Sequence, residues 1–152
     1  MELKVKIKKL HPDAVIPRYA KPGDAGLDLT AVSRTFDADG NVVYGTGLAF
    51  EIPEGYYGQV QPRSSLTKLD LQMLNTPAVI DAGYRGEVLI KFRPTLTFDR
   101  EQFPIAHNPR IYEIGERIAQ MIILPYPQIE FEEVEELSQT ERADGGYGST
   151  GL

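Results

Sequence analysis

The sequence lacks cysteine, any excess of positive charge and any long apolar run. Without cysteine among its 152 residues, disulfide bonds and thiolate chemistry are excluded. The formal charge of −6 argues against a nucleic-acid or anionic-membrane partner, because both usually bind a basic surface. No apolar run reaches the length that spans a membrane. A bound anion would have to be held by a few arginines, by backbone N–H groups or by a metal.

The start of the chain also lacks the continuous apolar stretch of a targeting signal. MELKVKIKKL alternates apolar residues with charged ones, mostly lysines, which predicts a half-buried strand instead. We therefore expect a soluble, cytoplasmic protein. At 152 residues the chain is long enough for one domain with a genuine core.

Helical spacing is nearly absent. Short apolar segments recur between Gly- and Pro-rich turns, which predicts an all-β, jelly-roll-like β-barrel. Only residues 64–74 have helical spacing, so we expect one short helix there. Residues 47–61 and 75–88 each place two apolar runs around a turn and are predicted to be hairpins. An apolar run at 118–124 predicts a buried strand.

The packed core is predicted to span residues 1–137. Residues 94–109 hold three prolines, mixed charge and no clear period, which indicates a surface insertion. Six of the twelve residues from 130 to 141 are glutamate, which is typical of a solvated connector. Residues 138–152 contain the glycine-rich stretch GGYGSTGL and are predicted to form a flexible C-terminal arm.

The block PRSSL combines an arginine with two hydroxyls at the start of the predicted helix. Backbone N–H groups at a helix start favour an anion, and Arg63 can add paired contacts to phosphate oxygens. The alternative is that Ser64 or Ser65 is merely an N-cap. Both interpretations stay open on these residues alone.

The block NTPAVIDAGYRGEV, residues 75–88, places an amide, a carboxylate and an aromatic ring within ten residues, namely Asn75, Asp81 and Tyr84. A hairpin of this kind can present backbone groups to a flat polar ligand, with Tyr84 stacked nearby. The alternative is a plain hairpin whose Asp and Gly serve only the turn.

Two polar residues interrupt strand patterns. Asp28 lies between two leucines, so its side chain faces the opposite side of the strand; a solvent-facing Asp is the simplest explanation. Gln120 lies in the apolar run near the C-terminus, and a buried amide needs partners. Those partners are either structural or part of a ligand.

The C-terminal block RADGGYGSTG combines glycines with possible ligand contacts. Glycine lets backbone amides approach phosphates closely. Arg142 supplies charge, Tyr147 a stacking surface, and Ser149 and Thr150 further donors. The alternative is an ordinary mobile terminus.

In identity and order, five blocks resemble those of the trimeric deoxyuridine triphosphatase (dUTPase) family over nearly the whole chain. They are AGLDL (25–29), PRSSL (62–66), NTPAVIDAGYRGEV (75–88), GERIAQMI (115–122) and RADGGYGSTG (142–151). The resemblance implies hydrolysis of dUTP to dUMP and pyrophosphate, which limits uracil in DNA and supplies dUMP for thymidylate synthesis. It implies Asp81 as the general base for a water that attacks the α-phosphorus in line with the leaving pyrophosphate.

The same resemblance implies the substrate contacts. Phosphate ligands would be Arg63, Ser64 and Ser65, with Ser64 near the bridging oxygen that leaves, and Gln120 would reach the phosphate side. Asn75 and backbone groups would read the uracil edge. Tyr84 would pack against the sugar where a 2′-hydroxyl would project, and thereby exclude ribonucleotides.

Mg²⁺ is the implied cofactor, held largely by substrate phosphates, with Asp28 accepting hydrogen bonds from its waters. The arm would close over a neighbouring active site, so the family likeness implies a homotrimer with shared sites. In that arm, Arg142 would reach the triphosphate and Tyr147 would cover the base; Gly148, Ser149 and Thr150 would complete the contacts.

Three features depart from the family pattern. Tyr147 stands where Phe or His is usual, Ala78 where Gly is frequent, and the segment 94–109 is longer than the usual connection.

Two alternative functions remain. A dCTP deaminase-related enzyme is expected to use a catalytic Glu and to lack the glycine-rich arm. A phage-type regulatory dUTPase would use the nucleotide to switch binding to a partner.

Overall fold

The computed structural model describes residues 3–95, 109–141 and 143–144. This part of the chain contains ten strands and one short 3₁₀ helix at Ser64–Lys68. The strands are β1 Lys6–Lys9, β2 Leu27–Thr30, β3 Ser33–Phe36, β4 Val42–Gly45, β5 Leu48–Glu51, β6 Tyr56–Gln61, β7 Leu71–Met73, β8 Ala78–Ile80, β9 Leu89–Pro94 and β10 Arg117–Pro125. The all-β prediction is confirmed.

The strands form two four-stranded sheets and one two-stranded sheet. Their orders are β2-β10-β6-β8, β3-β4-β9-β7 and β1-β5, and every pair is antiparallel. Most neighbours in a sheet are distant in sequence, so long connections cross between sheets. The arrangement is jelly-roll-like, although the described strands do not form a closed barrel.

The core draws on both four-stranded sheets. On β9, Ile90 and Phe92 are buried while their neighbours along the strand are exposed, which is the alternation expected of a strand with one face inward. Removing apolar surface from water is the main stabilising term for such a core. The largest fully buried side chains are Tyr44, Phe92, Leu29, Leu48, Ile90, Ile118, Met121, Val42, Val60, Val88 and Thr46.

The predicted strand at 118–124 is confirmed as the central part of β10. Both hairpin predictions are wrong in their pairing. β5 pairs with β1, whereas β6 pairs with β10 and β8. β8 pairs with β6, whereas β9 pairs with β4 and β7. The turns form as predicted, but the strands that leave them enter different sheets because distant strands offer better burial than the sequence neighbour.

The helix predicted over residues 64–74 is also too long. The 3₁₀ helix ends at Lys68, and β7 begins at Leu71. Between them, buried Asp70 accepts hydrogen bonds from the backbone N–H and guanidinium of Arg110, at 2.8 Å for the nearest. These tertiary contacts hold the chain extended and override the helical spacing of the leucines.

The ends of the predicted insertion meet at Asp70. The Thr95 N–H donates to the Asp70 carbonyl at 2.8 Å, and the Asp70 N–H donates to the Arg110 carbonyl at 2.9 Å. The Asp70 carboxylate also raises the pKa of the Arg110 guanidinium through its hydrogen bond and charge. Residues 96–108 lie outside the described residues.

After β10 the chain runs along the surface. Residues 125–141 are all exposed, and the side chains of Phe131 and Leu137 are 93% and 86% exposed. This supports the prediction of a solvated connector over the glutamate-rich stretch. Nowhere in the described ranges is a helix both long and apolar enough to cross a bilayer.

Candidate functional site

Three neighbouring strands bring the first group of candidate residues together. Asp28 of β2 and Gln61 of β6 both lie opposite Gln120, because β10 runs between their strands. Arg63 follows β6 by two residues. The order β2-β10-β6 therefore places residues from three separate sequence blocks at one end of one sheet.

Charged and hydroxyl-bearing side chains at this end form a compact group that we call the arginine cluster: Asp28, Arg63, Ser65, Tyr112 and Arg117. Arg63 Nε donates to Asp28 Oδ1 at 2.6 Å, and Arg117 Nη1 donates to Asp28 Oδ2 at 3.0 Å. One carboxylate thus serves two guanidinium groups. The cluster keeps a net positive charge, which suits it to bind an anion.

The second guanidinium nitrogen of Arg63 continues the network. Arg63 Nη1 donates to Ser65 Oγ at 3.2 Å and to the Arg117 carbonyl at 3.3 Å. Ser65 Oγ lies 3.2 Å from the Tyr112 hydroxyl. Arg63 is therefore held by three partners and does not have to be ordered by a ligand.

Gln120 has a structural hydrogen bond. Its Nε2 donates to the Pro62 carbonyl at 2.9 Å, which ties β10 to the start of the PRSSL block. Gly26 makes room for the same amide, because a Cβ there would lie 2.5 Å from Gln120 Oε1. The structural explanation for this amide is thus met, and the side chain still lies beside the arginine cluster.

Ser64 is exposed and begins the 3₁₀ helix, while Arg63 occupies the N-cap without a side-chain capping bond. The interpretation of a serine as the N-cap is therefore wrong. A five-residue 3₁₀ helix also supplies little dipole, so the positive potential here comes from the arginines.

The second group of candidates belongs to residues 75–88, which we call the base segment. Its turn is closed by the Tyr84 N–H, which donates to the Asp81 carbonyl at 3.0 Å. Arg85 Nη1 donates to the Ala82 and Tyr84 carbonyls at 2.6 and 3.0 Å. The Asp81 carboxylate is exposed, and no donor from the described residues bonds to it. A carboxylate in this state is available to accept a proton from water.

Tyr84 is fixed by its hydroxyl and by a glycine. The hydroxyl donates to the Glu87 carbonyl at 3.0 Å, and the residue remains 44% exposed. A Cβ on Gly86 would lie 2.6 Å from the Tyr84 Cζ, so the ring packs against position 86 so closely that only glycine fits there. The exposed part of the ring is free to contact a ligand.

Asn75 adopts a left-handed backbone conformation, with φ of 50°, just before β8. It borders a cavity of about 450 Å³ between β8 and β9 that Ala78 also lines. A second cavity, of about 160 Å³, is bordered by Asp81 and Tyr84. The two cavities share an apolar wall formed by Ile80, Val88 and Leu89.

A single chain does not bring Asp81 and Arg63 together. Ile80 lies opposite Gly58 in an antiparallel pair, so the next residue, Asp81, comes level with Tyr57, six residues before Arg63. At about 3.3 Å per extended residue, the two backbones are roughly 20 Å apart. The arginine cluster and the base segment are therefore apart in one chain, and we call these two groups the half-sites.

Five predicted contact residues lie outside the described residues: Arg142, Tyr147, Gly148, Ser149 and Thr150. Two members of the arginine cluster were not among the predicted site residues. Arg117 lies in the GERIAQMI block, so that block carried a signal for it. Tyr112 had no sequence signal, since its role depends on a contact 47 residues away.

The fold and these half-sites describe an all-β protein with a positively charged cluster at one end of a sheet and an exposed carboxylate and tyrosine ring in the base segment. The dUTPase family profile matches residues 13–151. Relatives from Hydrogenobaculum sp. (strain Y04AAS1) and Nautilia profundicola, both named deoxyuridine 5′-triphosphate nucleotidohydrolase, are 42% and 45% identical. The alignments cover 99% and 98% of this chain and 99% of each relative. The chain belongs to the dUTPase family.

Solved structures agree with this assignment. The dUTPase of Staphylococcus bacteriophage 80alpha with dUpNHpp has a TM-score of 0.80 at 30% identity, covering 98% of this chain and 99% of that one. A mutant dUTPase from phage phi11 of S. aureus has a TM-score of 0.70 at 25% identity, covering 90% and 99%. That structure is described as revealing the coordination of a structural Mg(II) ion.

Proposed function

We propose that this protein is a dUTP diphosphatase that hydrolyses dUTP to dUMP and pyrophosphate. Full-length relatives that bear this activity in their names support the reaction. The observation that carries the proposal on this chain is the exposed Asp81 carboxylate, which lies beside a ring-lined cavity and has no donor on it within the described residues. That arrangement suits a general base.

Asp81 would orient a water and accept its proton as the water attacks the α-phosphorus. The proton moves from water to the carboxylate, the new P–O bond forms, and the bond to the bridging oxygen breaks with release of pyrophosphate. Arg63 would offset the charge that develops on the phosphate chain. Ser64, Ser65 and Gln120 would contact the same chain.

Asn75 would read the uracil edge, together with backbone groups of the base segment. The exposed part of the Tyr84 ring would pack against the deoxyribose. Because Tyr84 is held against Gly86 and Glu87, it cannot easily move aside for a 2′-hydroxyl. This rigidity supports a preference for deoxyribonucleotides.

Mg²⁺ fits this site as a substrate-held ion. Both Asp28 oxygens already accept hydrogen bonds from arginines, so direct metal coordination is disfavoured. Each carboxylate oxygen keeps a further lone pair, which can accept a hydrogen bond from a metal-bound water. When bound, the ion would neutralise phosphate charge, and Asp28 would orient its water shell.

We propose a homotrimer in which each site combines residues of different subunits. Ser64 and Asp81 must approach the same phosphate group, yet Ser64 follows Arg63, whose backbone lies roughly 20 Å from that of Asp81 in one chain. Side chains of Ser and Asp reach only about 2–4 Å from their Cα atoms. A second copy of the chain is needed to close that gap, and the arm at 138–152, with Arg142 and Tyr147, would cover the shared site.

One assay tests the reaction. Pyrophosphate and ammonia release would be measured for dUTP, dCTP, dTTP and UTP, each with and without Mg²⁺. We expect Mg²⁺-dependent pyrophosphate release from dUTP and little from the other three. Ammonia release from dCTP would instead identify a deaminase and would overturn the proposal.

A further inference from the structure

Tyr112 is a buried tyrosine that precedes β10 and is anchored to the core on several sides. It is 3% exposed. Its ring packs against Tyr44 and Phe92, with ring centroids 6.3 and 5.7 Å away. Its carbonyl accepts hydrogen bonds from the Tyr44 hydroxyl at 2.7 Å and from Arg34 Nη1 at 3.0 Å. The side chain and the backbone of Tyr112 are both held firmly.

The Tyr112 hydroxyl leaves this core and meets the phosphate side of the site. It lies 3.2 Å from Ser65 Oγ. The 3₁₀ helix that carries Ser65 has no buried residue and no side-chain cap. Leu66 packs against the core from the same helix, and the Tyr112 contact is the hydrogen bond that joins the Ser65 side chain itself to the core.

Which of the two hydroxyls donates this hydrogen bond follows from the acceptors available to each. Among the described residues, Ser65 is the only hydrogen-bond partner of the Tyr112 hydroxyl. A buried hydroxyl whose proton has no acceptor is costly, so Tyr112 is the donor. Ser65 is half-buried and can direct its own proton elsewhere.

Ser65 Oγ then accepts two hydrogen bonds. Arg63 Nη1 donates to one lone pair at 3.2 Å, and Tyr112 donates to the other. A serine hydroxyl has two lone pairs and one proton. With both lone pairs used, the remaining proton is left for a partner other than Arg63 and Tyr112, such as an anion bound at the arginine cluster.

We propose that Tyr112 is a positioning residue that orients the Ser65 hydroxyl as a hydrogen-bond donor to the phosphate chain of the substrate. This inference rests on the proposed function, because the ligand is the triphosphate of that reaction. Tyr112 itself does not touch the substrate. It acts through Ser65, and Arg63 completes the arrangement.

The first test replaces Tyr112 with Phe, which removes the hydroxyl and keeps the ring. We expect the affinity for a non-hydrolysable dUTP analogue with Mg²⁺ to fall by about threefold to tenfold, the effect of one hydrogen bond. KM for dUTP should rise by a similar factor. Affinity for deoxyuridine, measured by calorimetry, should stay unchanged, because it carries no phosphate. Equal losses for both ligands, or none, would overturn the proposal.

Tyr44→Phe is the matched control. It removes another buried hydroxyl of the same aromatic cluster, one that bonds to the Tyr112 carbonyl and not to Ser65. It should lower the melting temperature at least as much as Tyr112→Phe does. Its KM for dUTP should stay close to that of the parent, so a KM increase equal to that of Tyr112→Phe would reduce Tyr112 to a structural residue.

A double-mutant cycle identifies the route. In a Ser65→Ala background, Tyr112→Phe should cause no further loss of triphosphate affinity, because the hydroxyl it orients is gone. Additive losses would show that Tyr112 acts by another path. If Tyr112→Phe does not fold, the proposal is tested with Ser65→Ala alone. A triphosphate affinity equal to that of the parent in this variant would contradict the proposal. The parent is assayed first, and a parent that does not hydrolyse dUTP refutes the proposed function instead.

Discussion

In the arginine cluster, the side chains are held by hydrogen bonds to one another, whereas in the base segment most hydrogen bonds are accepted by backbone carbonyls. Asp28 bonds to two arginines, and Ser65 links one of them to the core through Tyr112. In the base segment, the bonds that shape the turn end on backbone carbonyls, and the Asp81 carboxylate stays unbonded within the described residues.

The difference matches the work proposed for each half-site. A phosphate chain is bound by charge, so its ligands benefit from being held in position before the anion binds. A general base must keep its lone pairs for water, so it is best placed by a rigid backbone and left without donors. Substitutions in the two regions should therefore have different effects: loss of the general base should lower kcat, and loss of a cluster contact should mainly weaken substrate binding.

The largest effect is expected at the unbonded carboxylate. Asp81→Asn keeps the shape of the side chain but removes the basic site. We expect kcat to fall by about 10²–10⁴, the usual contribution of a positioned base. Affinity for a non-hydrolysable dUTP analogue should largely survive. Turnover near that of the parent, in a steady-state assay, would remove Asp81 from this role.

The shared site is tested by mixing two inactive proteins. Asp81→Ala and a chain truncated after Glu141 should each be nearly inactive. After co-refolding, activity should recover to roughly a tenth or more of the parent, because some sites combine an intact base segment with an intact arm. No recovery despite subunit exchange, followed by native mass spectrometry, would count against a composite site.

Breaking the arginine cluster should give a smaller loss, and mainly in binding. Asp28→Asn removes the negative charge shared by two arginines and leaves one oxygen acceptor where there were two, so Arg63 keeps its bonds to Ser65 and to the Arg117 carbonyl but loses its ion pair. We expect kcat/KM to fall by about 10–100-fold, an effect of roughly 1.5–3 kcal/mol for hydrogen bonds to charged groups. Asp37→Asn is the control, because it breaks an Asp–Lys pair that includes no member of the arginine cluster. A similar loss in both variants would indicate general destabilisation.

Gly86→Ala tests how the base segment holds Tyr84. The new Cβ would lie 2.6 Å from the Tyr84 Cζ, so the ring must move. We expect the ratio of kcat/KM for dUTP over UTP to fall by about threefold to tenfold, an energy of roughly 1 kcal/mol. Gly83→Ala is the control in the same loop, since its Cβ would meet nothing within 4 Å. Unchanged discrimination in Gly86→Ala would place the sugar gate elsewhere.

The smallest effect concerns stability in acid and arises at the turn between β3 and β4. Hydrogen bonds from Asn41 and Lys91 lower the pKa of Asp37 below its ordinary value of 3.8. A carboxyl whose pKa is lower in the folded state stabilises the protein above pH 3.8, and this contribution is lost as the pH falls further. Asp37→Asn should thus be less stable than the parent in urea at pH 7, and the gap should shrink below pH 3.8. A constant gap would contradict this linkage.

The chain by itself determined its class and supplied the candidate residues of its site. Period-2 patterns and turn residues are local properties, so β10, the turn at Asp81 and the all-β class could be read from them. The five blocks likewise led to the dUTPase family, because their identity and order do not depend on which strands pair.

The tertiary structure decided what no local pattern contains. Both predicted hairpins separated because burial against distant strands outweighs the short turn, and the helix ended early because Arg110 holds Asp70. The contact of Tyr112 with Ser65 spans 47 residues and left no sequence signal. The separation of Asp81 from Arg63 likewise follows from β6–β8 pairing, since distance between strands is set by register and not by sequence spacing.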